Sequence, residues 1–155
     1  MSFTLDTQLQ ADTILLASLP LCELLLMNDS QYPWFILVPR RADLRELMEL
    51  SAMDRAQYTV ESDFIADFLQ AELLAEKINI AALGNVVAQL HIHHIARFSS
   101  DSSWPRPVWG VHDATAYTHA ELDDLYRRLH CWAVENWAVE NWAVDSFPQP
   151  IQWRR

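Results

Sequence analysis

The sequence predicts an α+β fold, an antiparallel β-meander sheet packed with two to three helices. Two observations carry this expectation. Strand-like segments come in consecutive runs, at 14–18, 22–27 and 35–38 and then at 77–82 and 86–95. The helical stretches fall between those runs and after them, whereas a parallel sheet would need strand and helix to alternate.

Taken in order, the first dozen residues are polar and mixed, suiting a short helix or an arm. Ile14 to Ser18 and Cys22 to Met27 read as strands separated by Leu19-Pro20, and Asn28-Asp29-Ser30 supplies turn chemistry. Phe35-Ile36-Leu37-Val38 is a compact apolar run closed by Pro39, the pattern of a central strand. Ala42 to Leu50 reads as a short helical stretch. Ser51, with Asp54 three residues on, opens a longer helix expected to reach about Lys77. Along it Tyr58, Phe64, Phe68 and Leu73 fall near helical spacing and give the face that packs on the sheet. Lys77 to Ala82 alternates as a strand, Gly84-Asn85 makes a bend, and Val86 to Ile95 reads as the last long strand. Ser99 to Arg106 is loop-like. Thr118 with Glu121 forms a capping box for a final helix running past Cys131.

Composition narrows the function. The chain has 155 residues, enough for one domain with one core, and 51% are hydrophobic, which argues against disorder. The formal net charge of −10 argues against a nucleic-acid polymer or an anionic membrane as partner, since both need clustered Lys and Arg. The greasiest segment, Thr13 to Met27, is interrupted by Pro20 and Glu23 and is too short to span a bilayer. Cys22 and Cys131 lie outside any metal-binding spacing and read as two buried thiols of a reducing compartment, so a cytoplasmic location is expected. With only Gly84 and Gly110, neither a phosphate-cradling Walker loop nor a dinucleotide fingerprint can form.

The tail holds Trp132-Ala-Val-Glu-Asn136, the same five residues at 137–141, and Trp142-Ala-Val-Asp-Ser146. At about 100° per residue, successive indoles on a helix stand about 140° apart and cannot share a stripe. This reads as a tandem expansion that lengthens the tail and packs on a partner subunit. A base-stacking platform is the alternative, but each unit carries an acidic residue that would repel phosphates.

The informative segment is Gly84-Asn-Val-Val-Ala-Gln89-Leu-His91-Ile-His93-His94-Ile-Ala-Arg97. On a strand, Gln89, His91 and His93 project to one face at about 6–7 Å intervals, with His94 opposite as a structural or edge histidine. Three readings stay open on the residues alone: histidines tolerated in a strand, a metal-binding pair, or phosphoryl chemistry at an imidazole. A metal would need ligands beyond the pair, and no other cluster stands at ligand spacing.

This segment resembles the histidine triad (HIT) proteins, whose strand reads Gly-Gln-x-Val-x-His-x-His-x-His followed by two apolar residues. Gly84 before the motif and Ile95-Ala96-Arg97 after it set the register, with Gln89, His91 and His93 at the three triad positions. Leu24 to Asn28, Pro33 to Pro39 and Asn79-Ile-Ala-Ala resemble the family's neighbouring strands, so the likeness covers roughly residues 10 to 105. It implies a HIT-like domain over 1–117, completed by the helix and Trp-rich tail of 118–155. It also implies a hydrolase or transferase of nucleotide derivatives, dinucleoside polyphosphates or nucleotidyl conjugates, working through a nucleotidyl-His91 intermediate. His93 would donate to a phosphate or leaving-group oxygen and Gln89 would supply an amide. Asn28, Asn79 and Asn85 become candidate substrate contacts, although each Asn equally suits a turn or cap. A homodimer is implied too. No cofactor is expected to be required, with Mg²⁺ accompanying the nucleotide substrate at most. A nucleotide-binding regulator that keeps the pocket without catalysis is the alternative. Two features depart from the pattern: Gln89 replaces a histidine, and Trp34-Phe35 stands where many relatives carry Gly-His. The loop Trp104-Pro-Arg-Pro-Val-Trp109-Gly is expected to pack at a subunit contact, with closure over a base as the other reading.

Overall fold

In the computed structural model, described for residues 2–140 and 152–154, with the side chains of 138–140 left aside, every strand pairs antiparallel. The elements are α1 (Thr7–Asp12), β1 (Thr13–Ser18), β2 (Cys22–Met27), β3 (Trp34–Pro39), α2 (Ala52–Asp67), β4 (Lys77–Ala81), β5 (Ile92–Arg97), α3 (His119–Glu140) and β6 (Gln152–Trp153). The order across the six-stranded sheet is β4-β5-β3-β2-β1-β6. The first three strands form the meander, while β5 inserts between β3 and β4. Its residues are therefore held from both sides, Ile36 and Ala81 both standing opposite His93.

Alternation along the strands separates two packed faces. Phe35, Leu37 and Ala96 turn toward the helices and join Phe64, Phe68, Leu129 and Trp137 in the main core. Trp34, Ile36, Val38 and Ile95 turn the other way, beneath Leu9 and Val108. His94 sits on the helical face, fully buried, with Nε2 2.7 Å from Ser62 Oγ of α2. It is structural, as its position on the strand predicts.

Several boundaries differ from the sequence reading. The stretch 42–50 yields one turn of 3₁₀ helix at Leu47–Glu49. The helix that starts at Ser51 is capped as expected, Ser51 Oγ accepting from Asp54 N, but α2 ends at Asp67. It loosens into a π turn at Phe68–Glu72, and Leu74 closes it with a left-handed φ of 59°. The capping box at Thr118 and Glu121 is present, both side chains taking the other residue's backbone N–H. Cys22 is buried, but Cys131 is exposed on α3, so the expectation of two buried thiols fails for the second. The short β6, which nothing in the sequence signals, pairs with Ala17 and Ser18. The third Trp unit of the tail, 142–146, lies outside the described residues.

One buried carboxylate ties the helix layer to the sheet. Glu61 of α2 accepts from the backbone N–H of Leu21 at 2.7 Å and of Cys22 at 2.9 Å, and Gln57 Nε2 donates to it at 3.0 Å. The guanidinium of Arg40 serves the same turn from the carbonyl side, donating to Leu19, Pro20 and Cys22. Removing the carboxylate would strand two buried N–H donors, at a cost of about 1–3 kcal/mol each. Glu61→Ala should therefore lower unfolding free energy by about 2–6 kcal/mol in denaturant titration, and Glu61→Gln by less. Unchanged stability in the alanine variant would refute this role.

Candidate active site

β5 and the loop before it hold the two central histidines. His91 precedes the strand and His93 lies within it, their rings 4.9 Å apart at the centroids and nearly perpendicular, at 80°. Each residue retains little surface, 7% for His91 and 5% for His93, and both line a cavity of about 410 Å³. Gln8, Asp12, Met27, Asn85 and Trp109 are also on its wall.

The hydrogen bonds assign the protons. His91 Nδ1 lies 2.7 Å from the carbonyl oxygen of Gln89. A carbonyl only accepts, so Nδ1 carries the proton and neutral His91 presents a lone pair at Nε2. His93 has the opposite arrangement. The indole N–H of Trp34, which only donates, points at His93 Nδ1 from 2.9 Å. Nδ1 must accept, and neutral His93 carries its proton on Nε2. Neither Nε2 has a protein partner among the described residues, and neither is a buried, unpaired atom. The site thus offers a nucleophilic nitrogen beside a hydrogen-bond donor.

Burial, then the neighbouring His91 and His94, pushes His93 down from 6.5 to about 3. Burial lowers His94 to about 4, against the opposing bond to the Ile92 carbonyl.

Gln89 does not share this face. The expected strand over 86–95 starts only at Ile92, and residues 82–91 form a long loop instead. The partners run out there: the last β5 pairs are Ile92 with Leu37 and His93 with Ala81. Beyond Leu37 and Val38, β3 closes with Pro39, which has no N–H to give, and Gly84 turns the chain beyond β4 with φ of 69°. Released from the ladder, the Gln89 side chain bonds the N-terminal segment, accepting from Asp6 N at 2.9 Å and donating to the Thr4 carbonyl at 2.9 Å.

The asparagines separate as well. Asn85 lines the histidine cavity. Asn28 lines an adjoining one of about 510 Å³ with Asp29, Trp34, Trp109 and His112, and its Oδ1 accepts from Tyr117 N. Asn79 lines neither. Its Oδ1 accepts from Arg97, a buried guanidinium that also pairs with Asp101 and donates to the Arg106 carbonyl. Asn79 thereby anchors the loop that follows β5.

That loop reaches the site. Trp109 lines both cavities and stands edge-on to His93 at 5.4 Å and to Trp34 at 5.6 Å. For Trp109 the sequence offers a subunit contact or closure over a base, and its place on both cavities fits the second reading, while Asp12 and Met27 carry no local signal of a site. Trp34 stood out in the sequence only as a departure from the family pattern. Among the described residues no Lys or Arg lines either cavity. Among the described residues no group of three His, Cys, Asp or Glu side chains is arranged to hold a metal ion.

Comparison with known proteins shows the family. The family model described as HIT domain matches residues 8–100. A crystal structure of a histidine triad protein from Sinorhizobium meliloti is 47% identical, with 83% of this chain and 95% of that one covered at a TM-score of 0.80. A histidine triad protein from Bradyrhizobium japonicum is 40% identical, covering 84% and 98% at 0.82. One from Marinobacter aquaeolei is 38% identical, covering 87% and 98% at 0.84. No curated protein matches at a comparable level of significance. The chain belongs to the histidine triad family, a family whose work on nucleotides gives it a nucleotide-related function.

The two depressed histidines set a pH response. Between pH 6.5 and about 4 the unfolded chain takes up protons that folded His93 and His94 refuse, so stability falls as pH falls through that window. Each can contribute at most about 1.4 kcal/mol per pH unit. Glu61, raised by burial, and the more exposed Asp63, raised by burial and the neighbouring Asp67, act in the opposite sense above their ordinary values of 4.5 and 3.8 and make the decline shallower. Tm should therefore decline steadily from pH 6.5 to 4.5 in calorimetry; a flat profile would contradict the buried neutral state of both rings.

Proposed function

We propose that the protein is a nucleotidyl hydrolase or transferase acting on nucleotide derivatives, dinucleoside polyphosphates or nucleotidyl conjugates, through a covalent intermediate on His91. The observation that carries this reading is the bond from His91 Nδ1 to the Gln89 carbonyl, which leaves the Nε2 lone pair beside the cavity. In the first step Nε2 attacks the α-phosphorus, a P–N bond forms, and the bond to the leaving group breaks with its electron pair. Water then attacks the same phosphorus, expelling His91 and releasing the nucleotide. Splitting one displacement in two lowers each barrier. His93 donates from Nε2 to a non-bridging oxygen whose charge grows in the transition state.

With no Lys or Arg among the described residues of the walls, phosphate recognition falls to neutral donors such as Asn85 and the His93 Nε2–H. Mg²⁺ carried by a polyphosphate substrate would offset the charge that the walls leave unmet, and no resident cofactor is called for. The adjoining cavity, with Asn28 and the Trp109 indole, suits the nucleoside. Asn79 acts at one remove, through Arg97. Small nucleotides are the ligands in this reading and the cytoplasm their compartment. No helix among the described residues is long and apolar enough to cross a membrane.

A second reading, a regulator that binds nucleotide without turnover, is favoured by one observation: the Gln89 amide is engaged with Asp6 and Thr4 and brings nothing to the cavity. Turnover decides between the two. In a screen of adenylated and guanylated phosphoramidates and polyphosphates, His91→Ala should reduce turnover at least about 10³-fold. A slow substrate should leave one nucleotidyl mass on the wild-type chain. Undiminished turnover in the variant would remove the covalent mechanism, and tight binding with no turnover by the wild type would establish the regulator.

A homodimer is part of the same proposal. β4 is the outer strand of the sheet, with Ile80 half exposed and Leu83 exposed just beyond it. Light scattering should give twice the 18.0 kDa of the chain, and a single-chain mass at micromolar concentration would refute it.

A further inference from the structure

The environment of His93 contains a group that the proposed chemistry has not used. Trp34 opens β3 across from Ile95, and alternation sends its indole to the face that bears His93. The indole is 6% exposed, and its N–H is spent on His93 Nδ1 at 2.9 Å. Trp109 closes the cluster, edge-on to both rings, so His93 is walled by two indoles and by His91.

A buried imidazole with one free nitrogen has two neutral forms, and only one of them donates into the cavity. We propose that Trp34 is a positioning residue for the reaction: its indole N–H holds His93 in the form protonated at Nε2 and turns that N–H toward the phosphoryl group. The other neutral form would set two N–H groups against each other at Nδ1. So would the imidazolium, and the contact therefore also keeps His93 a neutral donor. His93 then stabilises a developing oxyanion and does not hand over a proton, so the leaving group must depart as a stable anion or draw its proton from elsewhere. Phosphate-type leaving groups meet that requirement directly. A small residue, or phenylalanine, at position 34 would leave Nδ1 open to a proton from solvent. This inference rests on His93 serving the substrate as a donor, as proposed above.

The test pairs a substrate-free measurement with kinetics. In ¹⁵N-histidine-labelled wild-type protein at neutral pH, His93 Nδ1 should resonate as an unprotonated nitrogen and Nε2 as a protonated one. In Trp34→Phe, which keeps an aromatic ring and removes the donor, both nitrogens should move toward the exchange-averaged shifts of a free imidazole. With a substrate that the wild type turns over, Trp34→Phe should lower kcat about tenfold or more, part of the loss expected for an oxyanion donor, and leave KM within about twofold. In a His93→Ala background the same substitution should change kcat less than about twofold, whereas a merely structural role would act equally in both backgrounds.

A wild-type spectrum with Nδ1 protonated overturns the proposal, and needs no variant to fold. So does a Trp34→Phe protein with unchanged His93 shifts and unchanged kcat. If the wild type turns over no nucleotide derivative, the proposed activity fails by itself, while the spectra still decide whether Trp34 sets the form of His93.

Discussion

The whole arrangement depends on β5 being paired on both edges. A strand held by β3 on one side and β4 on the other cannot slip by one residue without reversing every side chain. That double pairing sends His94 into the helical core and His93 to the opposite face, although the two are adjacent in the chain. It also stops where its partners stop. The loop before β5, free of the ladder, can then bring His91 beside His93 and use its own carbonyl to fix the His91 proton.

Chemical character in this pocket comes from orientation more than from charge. Among the described residues the walls carry no Lys or Arg, the protein is strongly acidic, and burial keeps His93 neutral. A neutral imidazole is useful only if its proton is on the correct nitrogen. Two partners of fixed sense, a carbonyl that must accept and an indole that must donate, settle that choice for two rings in opposite ways. The loop before β5 supplies one partner and β3 the other, both fixed before any ligand arrives, so the preference costs no reorganisation.

The loop after β5 shows how distant contacts complete a site. Arg97 is almost fully buried, yet its bonds to Asp101, Asn79 and the Arg106 carbonyl leave few of its donors unmet. This anchor precedes the segment that delivers Trp109 to His93. The Asp29 carboxylate and the Asn28 side chain then fasten the backbone N–H groups of Thr115 and Tyr117. Turn residues at the end of β2 thus close one wall of the cavity beside Trp34 and Trp109.

Much of the fold was legible in the residues themselves. Apolar runs bounded by Pro and by Asn-Asp-Ser marked the strands, Ser51 and Thr118 marked helix starts, and the spacing of the histidines with their flanks marked the family. These are local properties, fixed by backbone sterics and side-chain alternation over a few residues. The length of β5 was not legible, because Val86 to His91 has an acceptable strand pattern and only the lack of a partner strand keeps it out of the sheet. The direction of Gln89, the diversion of Asn79 to Arg97, and the approach of Trp109 and Trp34 to His93 depend on contacts between residues far apart in the chain. No local pattern encodes such contacts, since each is decided by which surfaces remain free once the sheet has formed.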